Sequence, residues 1–144
     1  MSRKYKYTYV KDKYKTGSFV RLPFLRVKLA YGHNLVDVVG LIDTGAEDSL
    51  FDAEIADALG IDIKATNIEK EYFGIAGQSI VGYVHSVQMQ VQGFSEWIDI
   101  EAGFFDTELP YPLIGESGFL DNYQLTLMRY KGRFEIKSRS FLGR

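Results

Sequence analysis

The stretch LIDTGAED, residues 41–48, places Asp43 directly behind two large apolar residues. These two residues end a nearly continuous apolar run, LVDVVGLI at 35–42, which is typical of a buried strand. Thr44 suits a strand and Gly45 favours a turn, so ordinary turn chemistry would explain the tripeptide alone. However, burying a carboxylate costs free energy unless it is hydrogen-bonded or shares a proton, and such groups are more often kept for chemistry than for stability.

The length and composition of the chain indicate one folded domain. It has 144 residues, of which 46% are hydrophobic and 15% aromatic, which is enough apolar material for a core. No run of about 18 apolar residues occurs, and no apolar segment follows the positively charged start. We therefore expect no membrane span and no signal peptide, and we expect a cytoplasmic location.

Residue types that bind metals or act as strong nucleophiles are scarce. There is no cysteine, and the two histidines, His33 and His85, are far apart in the sequence. Disulfides, thiolate metal sites and cysteine nucleophiles are therefore excluded, and we expect neither a metal ion nor another cofactor.

Charge is unevenly distributed, although the net charge is −2. Residues 1–28 carry nine Lys or Arg and one acidic residue (+8), residues 29–110 carry two and fifteen (−13), and residues 111–144 carry six and three (+3). A basic segment is typical of a nucleic-acid binder, or it lies against an acidic body, its own or a partner's. We favour the second interpretation because tyrosines alternate with the charges, and we expect no nucleic-acid partner.

The N-terminal part of the chain is predicted to be extended. YKYTYV, residues 5–10, alternates tyrosine with other residues and predicts a strand with one aromatic face. Residues 1–21 are therefore interpreted as a basic and aromatic segment that forms an edge strand. Pro23 indicates an edge or a break in the next extended segment, and LVDVVGLI predicts a strand buried on both faces.

The rest of the chain predicts a short helix and two hairpins. Asp52 is a suitable cap for a helix that ends at Gly60. Residues 69–93 predict a long hairpin with the glycine-bearing tip GIAGQS, and a second hairpin surrounds Lys131 and Gly132. Many short strands with one or two short helices predict an all-β fold, a compact barrel or sandwich.

Three segments, in this order, resemble the retropepsin-like aspartic proteases. LIDTGAED resembles the catalytic loop, and YFGIAGQSIVGYV resembles the flap hairpin. PLIGESGFLDNYQLTL resembles the downstream apolar-apolar-Gly segment with its short helix and closing strand. The resemblance spans roughly residues 22–137. It implies a closed small β barrel, in a domain that we assign to residues 22–144.

The resemblance implies that Asp43 is the catalytic carboxylate, that the Thr44 hydroxyl supports the loop and that Gly45 completes the turn. Peptide hydrolysis of this kind needs two carboxylates that share one proton, one as general base on a water and one as general acid. The chain has a single Asp-Thr-Gly and is too short for two lobes, so the second Asp43 must come from another copy. The sequence therefore predicts a homodimeric aspartic endopeptidase that acts on peptides or proteins.

The substrate is expected to lie extended between the hairpin and the cleft. The residues predicted to contact it are Ala46, Asp48, Gly74, Ile75, Ala76, Gly77, Ile80 and Val81. Ordinary hairpin packing explains the apolar members of this set equally well.

Two positions depart from the family pattern. Members often carry an arginine just after the apolar-apolar-Gly, paired with an acidic residue two positions beyond Asp-Thr-Gly. Here these positions are Glu116 and Glu47, which would repel each other if they were close. Arg129 or a residue of the basic N-terminal segment is a candidate replacement cation. The departure leaves an alternative open, a catalytically silent module of the same fold that binds peptides or dimerises.

Overall fold

The computed structural model describes residues 1–139. The strands in this part are β1 (Ser2–Lys6), β2 (Thr8–Lys11), β3 (Phe19–Leu22), β4 (Phe24–Tyr31), β5 (Asn34–Ile42), β6 (Ser49–Phe51), β7 (Glu69–Phe73), β8 (Ser79–Val91), β9 (Ile98–Phe104), β10 (Leu113–Ile114), β11 (Tyr123–Met128) and β12 (Arg133–Ser138). The two α-helices are α1 (Ala53–Leu59) and α2 (Phe119–Asn122), and a 3-10 turn covers Arg129–Lys131. None of these helices is long and apolar enough to cross a membrane.

Six strands form a closed barrel. Their order is β4-β5-β10-β6-β9-β8, and β4 also pairs with β8, which closes the ring. Two neighbouring pairs are parallel, β5 with β10 and β6 with β9, and the remaining neighbours in the barrel are antiparallel. β7 extends the sheet beyond β8 and lies at its edge. The prediction of a mainly β chain that forms a closed small barrel is therefore confirmed.

The alternation in β4 shows why the barrel encloses an apolar core. Leu25, Val27 and Leu29 are buried, whereas Arg26 and Lys28 between them are exposed. Successive side chains of a strand point to opposite faces, so this pattern turns one apolar face inward. The opposite face of β4 can therefore remain charged and exposed to solvent.

β5 is less buried than predicted. Val38 and Ile42 lie in the core, but Leu35 and Val39 are exposed. Helix α1 packs against β5 and leaves these outward side chains uncovered. The apolar run therefore reflects a strand with one face in the core and only partial cover on the other.

Helix α1 and the first long hairpin are confirmed. Asp52 accepts a hydrogen bond from the Ile55 backbone N–H at 3.3 Å, and Gly60 ends the helix in the left-handed conformation. β7 and β8 form the predicted hairpin, with residues 74–78 at its tip.

A three-stranded sheet, in the order β1-β12-β11, lies beside the barrel. Tyr5 of β1 stacks on Phe134 of β12 with ring centroids 5.1 Å apart, and Tyr7 meets the same ring edge-on at 5.8 Å. The rings of Phe94 and Phe119 contact Tyr123 of β11. These aromatic contacts attach the small sheet to the barrel core.

The single strand predicted for residues 5–10 was wrong. Its ladder ends at Tyr7, whose backbone N–H donates to the Gly132 carbonyl at 2.9 Å, just before β12 begins. The chain then turns away, and β2 pairs with β3 as a separate two-stranded ribbon. Tyr9 is therefore 65% exposed and does not share a buried face with Tyr5 and Tyr7.

Candidate active site

Asp43 directly follows the last residue of β5, and hydrogen bonds with backbone groups fix its position. Its N–H donates to the carbonyl of Ile114 in β10 at 3.0 Å, and its own carbonyl accepts from the Ala46 N–H at 3.1 Å. Its Oδ1 accepts from the Gly45 N–H at 2.9 Å. A Cβ at position 45 would lie 3.2 Å from that oxygen, so glycine keeps this approach free. The carboxylate is partly buried and its orientation is set by the loop itself.

The segment that follows β10 runs through the space behind the loop 43–48. The Gly115 N–H donates to the buried Ser49 hydroxyl at 3.1 Å. The next two N–H groups, at 116 and 117, donate to carbonyls of the loop at 2.9 and 2.7 Å. A Cβ at Gly115 would lie 2.3 Å from the Asp48 carbonyl oxygen, so no larger residue fits there.

Asp48 binds the hairpin through its side chain. The residue is only 6% exposed. Its Oδ2 accepts hydrogen bonds from Lys70 Nζ at 2.8 Å and from the Tyr72 hydroxyl at 2.9 Å. The hydrogen bond to Asp48 raises the pKa of Lys70. Burial, helped by the same carboxylate, raises the pKa of Tyr72. Both donors therefore keep their protons, and the buried negative charge is balanced.

In the described part of the chain, the acidic pair that departs from the family pattern forms no ion pair with a cation. Glu47 and Glu116 are exposed, and in residues 1–139 the ion pairs are Lys64–Asp106 and Lys70–Asp48. Neither Arg129 nor the N-terminal segment pairs with these glutamates in that part of the chain. In residues 1–139, the cation that contacts the loop 43–48 is Lys70 of β7, and its spacing in the sequence gave no signal for this contact.

A cleft of about 300 Å³ opens between the loop and β7. Four of the predicted site residues line it: Asp43, Gly45, Ala46 and Asp48. A second cavity of about 330 Å³ lies next to it, is mostly apolar and includes the predicted residues Gly74 and Ile80. The two cavities share Leu50, Tyr72, Phe73 and Leu113 as walls. Together they give an elongated depression under the hairpin.

The remaining predicted residues do not line these cavities in a single chain. Ile75, Ala76 and Gly77 are exposed at the hairpin tip, and Val81 is exposed on β8. Thr44 is also exposed, and within residues 1–139 its hydroxyl makes no hydrogen bond, so the predicted support of the loop is not seen there. Backbone donors, from Gly45 and from the segment after β10, stabilise the loop instead.

Sequence reasoning missed four residues that build this site: Ser49, Lys70, Tyr72 and Gly115. Gly115 belongs to the apolar-apolar-Gly segment that resembles the family. Its hydrogen bond to Ser49 could not be predicted, because the two residues are 66 positions apart in the sequence. Tyr72 stands in the segment that resembles the flap hairpin, but no contact with the loop was predicted for it, and Ser49 and Lys70 lie outside the three segments that resemble the family. In residues 1–139 there is also no group of three or more His, Asp or Glu side chains placed to hold a metal ion.

Comparison with known proteins agrees with this architecture. Residues 25–117 match a family model described as aspartyl protease. A retropepsin-like aspartic protease from Rickettsia conorii superposes with a TM-score of 0.61 at 15% identity, covering 94% of this chain and 92% of that one. The EIAV protease in complex with the inhibitor HBY-793 gives a TM-score of 0.48 at 17% identity, covering 74% and 88%. A search of curated protein sequences gives no match.

Proposed function

The chain belongs to the aspartyl protease family and has a retropepsin-like fold, and we propose that it is an aspartic endopeptidase whose active site is completed in a homodimer. The observation that carries the proposal is the placement of Asp43. Its carboxylate is held by the Gly45 N–H at 2.9 Å and borders a cleft open to solvent. A fixed carboxylate beside an accessible cleft is what general acid–base hydrolysis of a peptide requires.

The proposed reaction uses two Asp43 side chains, one from each subunit. One carboxylate accepts a proton from a water molecule as the water attacks the scissile carbonyl carbon. The other, protonated, donates its proton to the carbonyl oxygen. One chain supplies a single Asp-Thr-Gly, so the dyad needs a second copy related by a twofold axis.

The shape of the cleft supports an extended peptide as the substrate. The cleft beside Asp43, whose lining is polar and apolar in equal parts, lies next to the mostly apolar cavity that contains Gly74 and Ile80. A peptide lying across the loop would place one side chain in each cavity, since neighbouring side chains on one face of a strand are two residues apart. The tip residues 75–77 and Val81 would contact the substrate or the partner's hairpin after the hairpin closes.

A second candidate is a catalytically silent module that binds peptides or dimerises. The observation that favours it is the pair Glu47 and Glu116, which replaces the acid–arginine pair common in the family. Two exposed like charges near the loop weaken, rather than support, the usual arrangement. The intact loop at Asp43 favours the enzyme.

A peptide-library cleavage assay over a range of pH separates these functions. We expect the wild type to cleave a subset of peptides and Asp43→Asn to cleave none, because an amide cannot carry the shared proton. Circular dichroism and sedimentation must show that the variant keeps its fold and its association state. Equal cleavage by both proteins would refute the assignment of Asp43, and no cleavage by either would favour the silent module.

The association state has its own test. If each subunit brings half of the site, specific activity falls when the protein is diluted below the dimer dissociation constant. Sedimentation at the same concentrations should show monomers appearing in parallel. A fully active monomer would contradict the proposed dimer.

A further inference from the structure

Asp48 is a buried charge whose partners come from a different part of the sheet. The residue is 6% exposed, and Oδ2 accepts from both Lys70 and Tyr72. Removing a carboxylate from water is unfavourable unless its hydrogen bonds and charge are replaced. Lys70 supplies the charge and a hydrogen bond, and Tyr72 supplies a second hydrogen bond.

The Tyr72 ring lies in a slot that small residues keep open. A Cβ at Gly82 of β8 would lie 2.7 Å from the ring, and a Cβ at Gly103 of β9 would lie 2.6 Å from the hydroxyl oxygen. Phe105 packs edge-on against the ring with centroids 5.3 Å apart. β8, β9 and the residue that follows β9 thus hold one phenol so that its hydroxyl meets one carboxylate, which is a strongly defined side-chain position.

The location of β7 makes these contacts important. Among the described strands, β7 is the edge strand of the sheet and pairs only with β8, so none of them forms a backbone ladder with its other side. Lys70 and Tyr72 are two residues apart and therefore lie on the same face of this strand. Their bonds to Asp48 connect β7 directly to the loop that carries Asp43.

We propose that Asp48, Lys70 and Tyr72 anchor the hairpin to the catalytic loop and set its position over the cleft. Lys70 and Tyr72 are then positioning residues: they act on the substrate through the hairpin and do not take part in proton transfer. The kinetic consequence rests on the proposed proteolytic function, whereas the anchor itself is a property of the protein without substrate.

Amide hydrogen exchange of the full chain without substrate tests the anchor. Tyr72→Phe removes only the hydroxyl and keeps the ring in its slot. A hydrogen bond to a buried charge is strong, so we expect the amides of β7 to exchange roughly tenfold faster than in the wild type. Exchange in β12, which belongs to the separate three-stranded sheet, should not change.

Tyr83→Phe is the matched control. Tyr83 lies on β8 of the same hairpin, and its hydroxyl has no hydrogen-bond partner in the described part of the chain. Its loss should leave exchange in β7 unaltered. If Tyr72→Phe and Tyr83→Phe give the same exchange, the anchor is refuted. Asp48→Asn provides a second test, because an amide cannot balance Lys70, and it should speed the same amides.

Kinetics give a separate readout that a purely structural role would not move. With an active wild type, Tyr72→Phe and Lys70→Met should raise KM severalfold with a smaller change in kcat, because the hairpin covers the substrate less well. Lys70→Arg should restore most of the loss. Lys64→Met, which removes a surface ion pair at 3.7 Å, is the control and should leave KM unchanged.

The two proposals fail in different ways. An inactive wild type whose β7 amides still respond to Tyr72→Phe would refute the protease and keep the anchor. If the wild type is active and Tyr72→Phe changes neither the amide exchange of β7 nor KM, the anchor is refuted and the proposed protease function stands.

Discussion

The loop 43–48 and the hairpin tip 74–78 are both short turns that carry glycine, yet they differ in their contacts with the rest of the protein. Loop residues are bound to β10 and the segment after it by backbone hydrogen bonds, and Asp48 and Ser49 are buried at its end. Within residues 1–139, the tip makes only internal backbone bonds, from the Gly74 N–H to the Gln78 carbonyl at 2.8 Å and from the Gly77 N–H to the Gly74 carbonyl at 3.0 Å. Ile75 at its end is fully exposed.

Under the proposed function, this difference would combine a fixed catalytic group with a cover that moves. A catalytic carboxylate must be held in one geometry, because small displacements reduce the rate strongly. A cover must open to admit a peptide, so it is made from a segment with few contacts to the body and low local stability. The Asp48 anchor would mark the boundary between these two regions.

The largest expected effect is the loss of activity on removing one carboxylate of the dyad. Asp43→Asn should lower kcat by roughly 10²–10⁴-fold or more, the range typical of losing a general acid–base group. A mixing experiment then tests the dimer. At a fourfold excess of Asp43→Asn subunits, random association leaves about one fifth of wild-type subunits in wild-type dimers, so their activity should fall about fivefold. Unchanged activity would show that the second carboxylate comes from the same chain.

A pair of glycine substitutions compares the rigidity of the two regions. Gly115→Ala would push a methyl group against the Asp48 carbonyl, which cannot move away without disturbing the loop. We expect a loss of about 3 kcal/mol in the free energy of unfolding. Gly74→Ala meets only the end of the flexible Gln78 side chain and should cost less than about 1 kcal/mol. Chemical denaturation of both variants measures the difference, and equal losses would contradict it.

Ala46→Ser should change the pH dependence of the reaction. Ala46 lines the cleft with Asp43, and a hydroxyl at this position can donate to a carboxylate there. Such a bond favours the ionised form, so the acidic limb of kcat/KM against pH should move down by roughly half a unit. Ala58→Ser, on the exposed side of α1, is the control. A limb that stays in place or moves upward, with the dimer intact, would argue against this placement.

The smallest expected effect is on the stability of the tip. Ile75→Ala removes a side chain that contacts little in the folded chain, so the free energy of unfolding should change by less than about 0.5 kcal/mol. Ile114→Ala, in the buried strand that supports Asp43, should lose about 2–5 kcal/mol. If Ile75 contacts substrate after closure, KM rises in Ile75→Ala although stability does not change. An unaltered KM would remove Ile75 from the substrate contacts.

Much of the fold could be predicted from the sequence because the relevant interactions are local. The helix between Asp52 and Gly60 follows from a cap and a glycine at its two ends. The hairpin 69–93 follows from alternating side chains around a glycine-bearing turn. The bond from the Gly45 N–H to Asp43 joins residues only two positions apart, so the turn itself supplies it.

The incorrect predictions concern residues whose neighbours lie far away in the sequence. Tyr9 continues the alternation of Tyr5 and Tyr7, yet it is exposed. The hydrogen bond from the Tyr7 N–H to Gly132 is the last one between this segment and the β12 region, and beyond it the chain pairs with β3 instead. The apolar residues of β5 are unevenly buried because the tertiary structure leaves Leu35 and Val39 exposed on one face of the strand. Alternation predicts that two faces differ, but it does not predict what covers each face.

By itself, the sequence determined the family resemblance, the single Asp-Thr-Gly and the order of short strands around it. Only the tertiary structure decided that β4 closes the barrel on β8, that Gly115 packs against the loop 43–48 and that Asp48 accepts hydrogen bonds from Lys70 and Tyr72. Each of these contacts depends on the register between strands that are distant in the chain. A shift of one residue in that register would turn Lys70 and Tyr72 to the other face of the sheet, and nothing in their own sequence neighbourhood prevents it.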